Sequence, residues 1–295
     1  MAKQKILVTG VSGMIGGALA RYFVAEGHEV HGVARFSKPD SEERVAGYGV
    51  KTWRRDLAAD SLEDMPDDFD YVHHQAAYWT KGQADAISDP LALSVNALAA
   101  GMVMARWPKV KAMILASTGG IYPEKDEPSG EDTPVAPNSD TYHLGKFAME
   151  QVGTFCSVHY RIPTVILRYF WPVRFEKMVE RCVKAAREGV PMPGGDGGEP
   201  FTWTPIDIDD ICYYTARCAE VAEVPPKILV CGGPEIVERA ELSRIAAEAL
   251  GVEPVVAPQP EHQQLCLSDS SQLFELFGEP KKKLSEMVRE AAGAE

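Results

Sequence analysis

The chain has 295 residues, enough for one large α/β domain or a large domain with a smaller partner. Its 45% hydrophobic and 25% charged residues are ordinary for a folded globular protein. Forty-three acids against thirty bases leave a formal charge of -13, which argues against nucleic acid or an anionic membrane as the main partner, since both reward clustered Lys and Arg.

In chain order, KILVTG (5–10) reads as a buried strand ending in glycine, and MIGGALARYFVAEG (14–27) as a helix with Leu19 and Phe23 on one face and Gly27 as its stop. EVHGVAR (29–35), VKTWRRDL (50–57), DYVHHQAA (70–77) and KAMILAST (111–118) read as further strands. LALSVNALAAGMVMARW (91–107) is helical, a second helix is predicted from about Ser139 to His159, and PTVILRYF (163–170) is the next strand. Strand and helix alternating in this way predict right-handed crossovers and a doubly wound parallel sheet with helices on both faces. Beyond residue 170 the rhythm breaks into a Gly/Pro-rich loop (191–205), the strand KILVCGG (227–233), an amphipathic helix (240–251) and a charged helical ending. The expected division is a Rossmann-type domain over 1–170, with 203–232 returning to it. A smaller C-terminal substrate-binding domain is expected from 171–202 and 233–295.

The six cysteines are scattered with no C-x-x-C spacing, and adjacent His73 and His74 have no ligand-spaced partner, so neither a disulfide framework nor a metal site is expected. The N-terminus lacks a signal-peptide core, and no stretch of about 18 apolar residues occurs, which predicts a cytoplasmic protein with no membrane partner.

The first strand runs into TGVSGMIGG, where Gly10, Gly13 and Gly16 form a G-x-x-G-x-x-G pattern. Glycines at a strand-to-helix turn let backbone N–H groups approach a pyrophosphate at the positive end of the helix. The competing reading is a tight turn that binds no dinucleotide. Later, YHLGK sets Tyr142 and Lys146 four residues apart, on one face of the predicted helix; no other tyrosine has a lysine at that spacing. Alone, the pair reads better as a ring packed under a surface lysine than as a proton-transfer device.

These motifs, in this order, resemble the extended branch of the short-chain dehydrogenase/reductase superfamily, the epimerase/dehydratase-like proteins. The matching runs are the glycine turn, Asp56-Leu57, His74-Gln75-Ala76-Ala77, Asn96, Ser117-Thr118-Gly119-Gly120-Ile121-Tyr122, YHLGK, LRYF (167–170) and PIDIDDI (205–211). The resemblance implies that Tyr142 is the acid/base, Lys146 lowers its pKa and bonds the nicotinamide ribose, Thr118 orients the reacting oxygen, and Asn96 completes the catalytic set. It also implies cofactor contacts from Ser12, Met14, Ile15, Asp56, Leu57, Gln75, Ala76 and Ala77.

At the end of the second strand an acid would accept from the ribose of NAD, but this chain has Arg35, with Ser37 and Lys38 behind it. A guanidinium suits a 2′-phosphate, so NADP is favoured and NAD is the alternative. Positions where relatives hold a diphosphate carry Trp171 and Trp203 here. Together with Trp79, Thr118 and Gly119, they are expected to face substrate in an apolar pocket. That pocket favours a reductase or dehydrogenase of a small carbonyl or alcohol over a nucleotide-sugar epimerase or dehydratase with tightly bound NAD; a cofactor-sensing regulator is a third reading. The competing view is that these indoles are core fillers and that Arg174, Lys177 or Arg181 supply the ligands. A homodimer through the helices at 91–107 and 139–159 is expected by resemblance, with Ala97, Ala99, Ala100 and Met104 at the interface.

Overall fold

A computed structural model describes residues 2–79, 90–136, 141–170, 178–192, 201–256 and 264–293. The chain divides into two compact units, one formed by Met1–Ile121, Val135–Arg168 and Cys212–Leu229, the other by Tyr122–Pro134, Tyr169–Ile211 and Val230–Glu295.

The first half alternates as its apolar runs require. β1 (Lys5–Thr9), β2 (Glu29–Ala34), β3 (Lys51–Arg54), β4 (Tyr71–His74), β5 (Ala112–Thr118), β6 (Thr164–Tyr169) and β8 (Lys227–Cys231) form a seven-stranded sheet ordered β3-β2-β1-β4-β5-β6-β8. The sheet is of the doubly wound parallel type, and its order reverses between β1 and β4, the place where such sheets open a ligand crevice. That switch point is pinned chemically: Thr9 Oγ1 lies 3.0 Å from His74 Nδ1 and accepts the Ala76 N–H at 3.1 Å.

α1 (Met14–Ala25) buries Leu19, Ala20 and Phe23 and ends where Gly27 takes φ +86. A short α2 (Ser41–Ala46) follows β2. The helical stretch predicted over 91–107 is composite: α3 (Pro90–Leu93), a π-helical turn (Ser94–Leu98) and α4 (Ala99–Arg106). α5 (Thr141–Tyr160) packs against it. Ala97, Ala99, Ala100 and Met104, expected at a subunit interface, are instead buried in the chain's own interior. α4 packs there against Val72, Met113 and Leu115 of the sheet because small residues let the helix sit close.

The second unit carries strands too short to show a period in the sequence: β7 (Phe201–Trp203), β9 (Val237–Glu238) and β10 (Gln264–Cys266), ordered β10-β7-β9. Its core joins α6 (Met178–Glu188), α8 (Arg239–Leu250) and α10 (Leu284–Ala292) through Val183, Leu242, Ala246, Met287 and Val288. Between β7 and β8 runs α7 (Ile208–Arg217). The ending read as one helical stretch is two helices, α9 (Ser271–Phe277) and α10. No helix among the described residues is long and apolar enough to cross a membrane.

Candidate active site

The glycines of the first turn are fixed by close backbone approach. Gly10 has φ +66, and a Cβ there would stand 2.7 Å from backbone atoms of Gln75 and Ala76. A Cβ on Gly16 would meet the Gly10 carbonyl oxygen at 2.5 Å. Gly13 precedes α1 and gives it no side-chain cap, which leaves the first-turn amides for another acceptor. Gln75 is buried, and neither its Oε1 nor its Nε2 has a hydrogen-bond partner. A cradle that side chains would fill, beside a buried amide in need of partners, fits the pyrophosphate of a dinucleotide. Met14 is exposed, Ser12 and Ile15 are not fully buried, and Ser12 presents its carbonyl to Arg44 Nη2 at 3.2 Å.

At the other end of the crevice, α5 places Tyr142 and Lys146 one turn apart. Gly145 between them is required by packing: a Cβ there would lie 2.9 Å from both the Ala92 carbonyl and the Asn96 Cβ. Lys146 is 1% exposed. Its Nζ donates to the Ala116 carbonyl at 2.9 Å and the Ala76 carbonyl at 3.3 Å, and stands 6.0 Å from the centre of the Tyr142 ring. Burial pulls its pKa down to about 8, and the Glu150 carboxylate one turn on opposes that shift. Holding an ammonium in such a place costs free energy that packing alone does not explain. The Tyr142 ring lies 4.7 Å from that of Trp79, which is 61% exposed. Thr118 Oγ1 accepts the Gly120 N–H at 3.2 Å, and Gly119 is buried in the turn that follows.

Other expected residues make contacts within the chain. Both amide atoms of Asn96 serve the backbone of Tyr78, whose N–H donates to Asn96 Oδ1 at 2.7 Å and whose carbonyl accepts from Nδ2 at 2.8 Å. Asn96 therefore holds the chain that follows β4. Asp56 Oδ1 accepts the Ala58 N–H at 2.9 Å, and Leu57 is a core residue. Ala77 and Arg35 are exposed, with the Arg35 guanidinium 5.5 Å from the Tyr78 ring centre. Trp171, Arg174 and Lys177 lie outside the described residues. Trp203 is 1% exposed and packs with Val179, Cys182 and Leu242 in the core of the second unit. The ring fills a core.

Sequence reasoning missed a buried pair beneath the site. Glu150 accepts from Arg168 Nε at 2.9 Å and Nη2 at 2.7 Å, and from Ser117 Oγ at 2.6 Å. Its signals were an arginine within the apolar strand VILRYF and a glutamate four residues past Lys146.

The family model described as "NAD dependent epimerase/dehydratase family" matches residues 6–190, more than half of the chain. A search of curated proteins by sequence found no match. Among solved structures, a UDP-glucose 4-epimerase of Thermus thermophilus, in complex with NAD, is 25% identical and covers 98% of each chain at a TM-score of 0.78. UDP-glucuronic acid 4-epimerase of Bacillus cereus, with UDP-glucuronic acid and NAD, is 23% identical over 98% of each chain at 0.80. The dTDP-glucose 4,6-dehydratase of Bacillus anthracis str. Ames, with NAD, is 18% identical, covering 98% of this chain and 96% of that one, at 0.80. These relatives are epimerases and a dehydratase, which overturns the expected preference for a reductase or dehydrogenase. Trp203, one of the indoles on which that preference leaned, is buried in the core of the second unit. A glycine cradle at the switch point, a buried Lys146 beside Tyr142 and the match over residues 6–190 agree: the chain belongs to the NAD dependent epimerase/dehydratase family.

Proposed function

We propose that the protein is an NAD-dependent epimerase or dehydratase acting on a nucleotide sugar, and that it oxidises its substrate only transiently. The observation that carries this reading is Lys146, an ammonium buried against two carbonyls one helical turn from Tyr142. A bound nicotinamide supplies the hydride acceptor and afterwards the hydride donor. The rest of the step falls to the chain. Tyr142 takes the proton of a sugar carbinol as the C–H bond is broken and gives it back when the carbonyl is reduced, so proton and hydride both return and no net oxidation remains. The Lys146 ammonium favours the phenolate that this requires. Thr118, at the end of β5, orients the reacting oxygen. The glycines from Gly10 to Gly16 and the Gln75 amide hold the cofactor, and NAD is the form bound in the solved relatives.

The test combines retention and turnover. Denaturing the purified protein should release NAD, and a panel of UDP- and dTDP-sugars should include one that is converted without added cofactor. Tyr142→Phe should cut that turnover roughly a hundred- to ten-thousand-fold while cofactor retention stays unchanged. A wild-type protein that retains no dinucleotide and converts no nucleotide sugar sinks the reading.

A further inference from the structure

Arg35 is the residue that sequence alone picks out to meet a 2′-phosphate, but the structure sets a second guanidinium at that end of the sheet. β2 and β3 pair with Ala34 opposite Arg54, so Arg54 stands at the carboxyl ends of the strands, where a dinucleotide fold places the adenosine ribose. Its Nη1 donates to the Arg35 carbonyl at 2.9 Å and the Phe36 carbonyl at 3.0 Å, while Nη2 binds the carboxylate of Glu42. Glu42 projects from the first turn of α2. The guanidinium also lies 5.5 Å from the centre of the Phe36 ring. Phe36 has φ +47, a conformation that bulky residues adopt only where neighbours hold them in it. Arg54 is thus the pin of the turn that follows β2.

A cavity of about 510 Å³ opens beside this turn. Asp40, Glu42 and Glu43 line it against only Lys38 and Arg54, and Arg54 is held by Glu42. Arg35, a third cation of the region, lies over the ring of Tyr78, whose backbone Asn96 fixes. Two arginines stand at this end of the sheet, Arg54 held by Glu42 and two carbonyls and Arg35 over the Tyr78 ring.

We propose that Glu42 is a specificity-determining residue that holds Arg54 away from the ribose and keeps the cavity acidic, so that a 2′-hydroxyl is accepted and a 2′-phosphate refused. Specificity of this kind comes from a repulsive element aimed at the wrong ligand. The inference rests on the reading of the protein as NAD-dependent and deepens it by naming what excludes NADP.

Calorimetric titration of NAD and NADP into the wild type, Glu42→Ala, Glu42→Gln and the double variant Glu42→Ala/Arg54→Gln, each first stripped of retained dinucleotide, tests it without any substrate. The wild type should prefer NAD. Glu42→Ala should move the ratio of the two affinities toward NADP by about tenfold or more, a change of about 1.4 kcal/mol or more in relative binding. Glu42→Gln should move it less, because its amide oxygen still accepts from Arg54 although the charge is gone. The double variant should lose the gain. An unchanged ratio in Glu42→Ala, in a protein whose wild type binds NAD, overturns the inference and leaves the broader reading standing. A wild type that prefers NADP overturns it too. One that binds neither dinucleotide removes the reading beneath it and the inference together.

Discussion

The two units bury polar groups in different ways. In the second, buried polar side chains stitch the chain to itself: Asp210 accepts the Lys281 N–H at 3.0 Å and the Lys282 N–H at 3.3 Å, and Thr204 and Ser268 share a hydroxyl contact of 2.6 Å. The first buries the ammonium of Lys146, the Glu150–Arg168 pair and two adjacent histidines, all near the carboxyl ends of β4, β5 and β6. A hydroxyl or carboxylate that ties down a loop needs no further explanation. A buried ammonium on two carbonyls does, because an apolar residue of that size would pack there without the desolvation cost. Buried residues thus differ in what they say: Trp203 fills a core, whereas Lys146 marks a candidate site.

The largest expected effect tests the second unit. Trp203→Ala removes a fully buried indole and should destabilise the protein by about 3–5 kcal/mol in denaturant unfolding. If Trp203 is only a core residue, a partly compensating Trp203→Phe should recover much of that stability and bind substrate as the wild type does. Wild-type stability in Trp203→Ala combined with a raised KM for the nucleotide sugar would return the indole to the substrate pocket and break the contrast.

Legibility followed the same division. β1, β2, β4, β5 and β6 could be read because strands buried on both faces are short apolar runs closed by Gly or a polar residue. α2, β7, β9 and β10 could not, because they are short and carry no continuous apolar run. The segment read as a loop over 191–205 contains β7, and the helix read as continuous over 91–107 holds a π-helical turn around Asn96. At the site, Tyr142 and Lys146 were legible because their relation is local, one helical turn. Glu150 with Arg168, and Glu42 with Arg54, join residues 18 and 12 positions apart, so only the fold shows that they meet. That Trp203 lies in a core could not be read, because a tryptophan in a core and one in a pocket look alike in sequence.

A second test concerns the buried histidines of the first unit. Burial lowers both His73 and His74 to about 3, and neither His73 Nδ1 nor His74 Nε2 has a hydrogen-bond partner. The unfolded chain takes up these two protons near pH 6.5, while the folded chain stays unprotonated until about pH 3. The unfolded state therefore binds more protons in that window, and stability, fully present above pH 6.5, falls on acidification. For two groups the slope reaches about 2.7 kcal/mol per pH unit. Urea unfolding between pH 7.5 and 5 measures it. His73→Phe, placed against the Phe23 ring that His73 meets at 4.8 Å, should roughly halve the slope. Unfolding free energy that stays flat across this range would show that the first unit's buried histidines are hydrated or paired.

The smallest effect separates a catalytic asparagine from a positioning one. Asn96 is fully buried and spends its amide on the N–H and carbonyl of Tyr78, the residue whose ring carries Arg35. Asn96→Ala removes two hydrogen bonds to the Tyr78 backbone and should cost about 1–3 kcal/mol of stability. Because the site is disturbed through the chain that follows β4, the loss should show mainly as weaker NAD binding, with turnover at saturating cofactor little changed. Asn96→Asp keeps the oxygen that accepts from the Tyr78 N–H and gives up the donor, so it should recover part of the affinity. If instead Asn96→Ala abolishes turnover while NAD affinity and stability hold, the asparagine acts on the reacting atoms, and the first unit's buried polar groups serve chemistry more directly than their hydrogen bonds indicate.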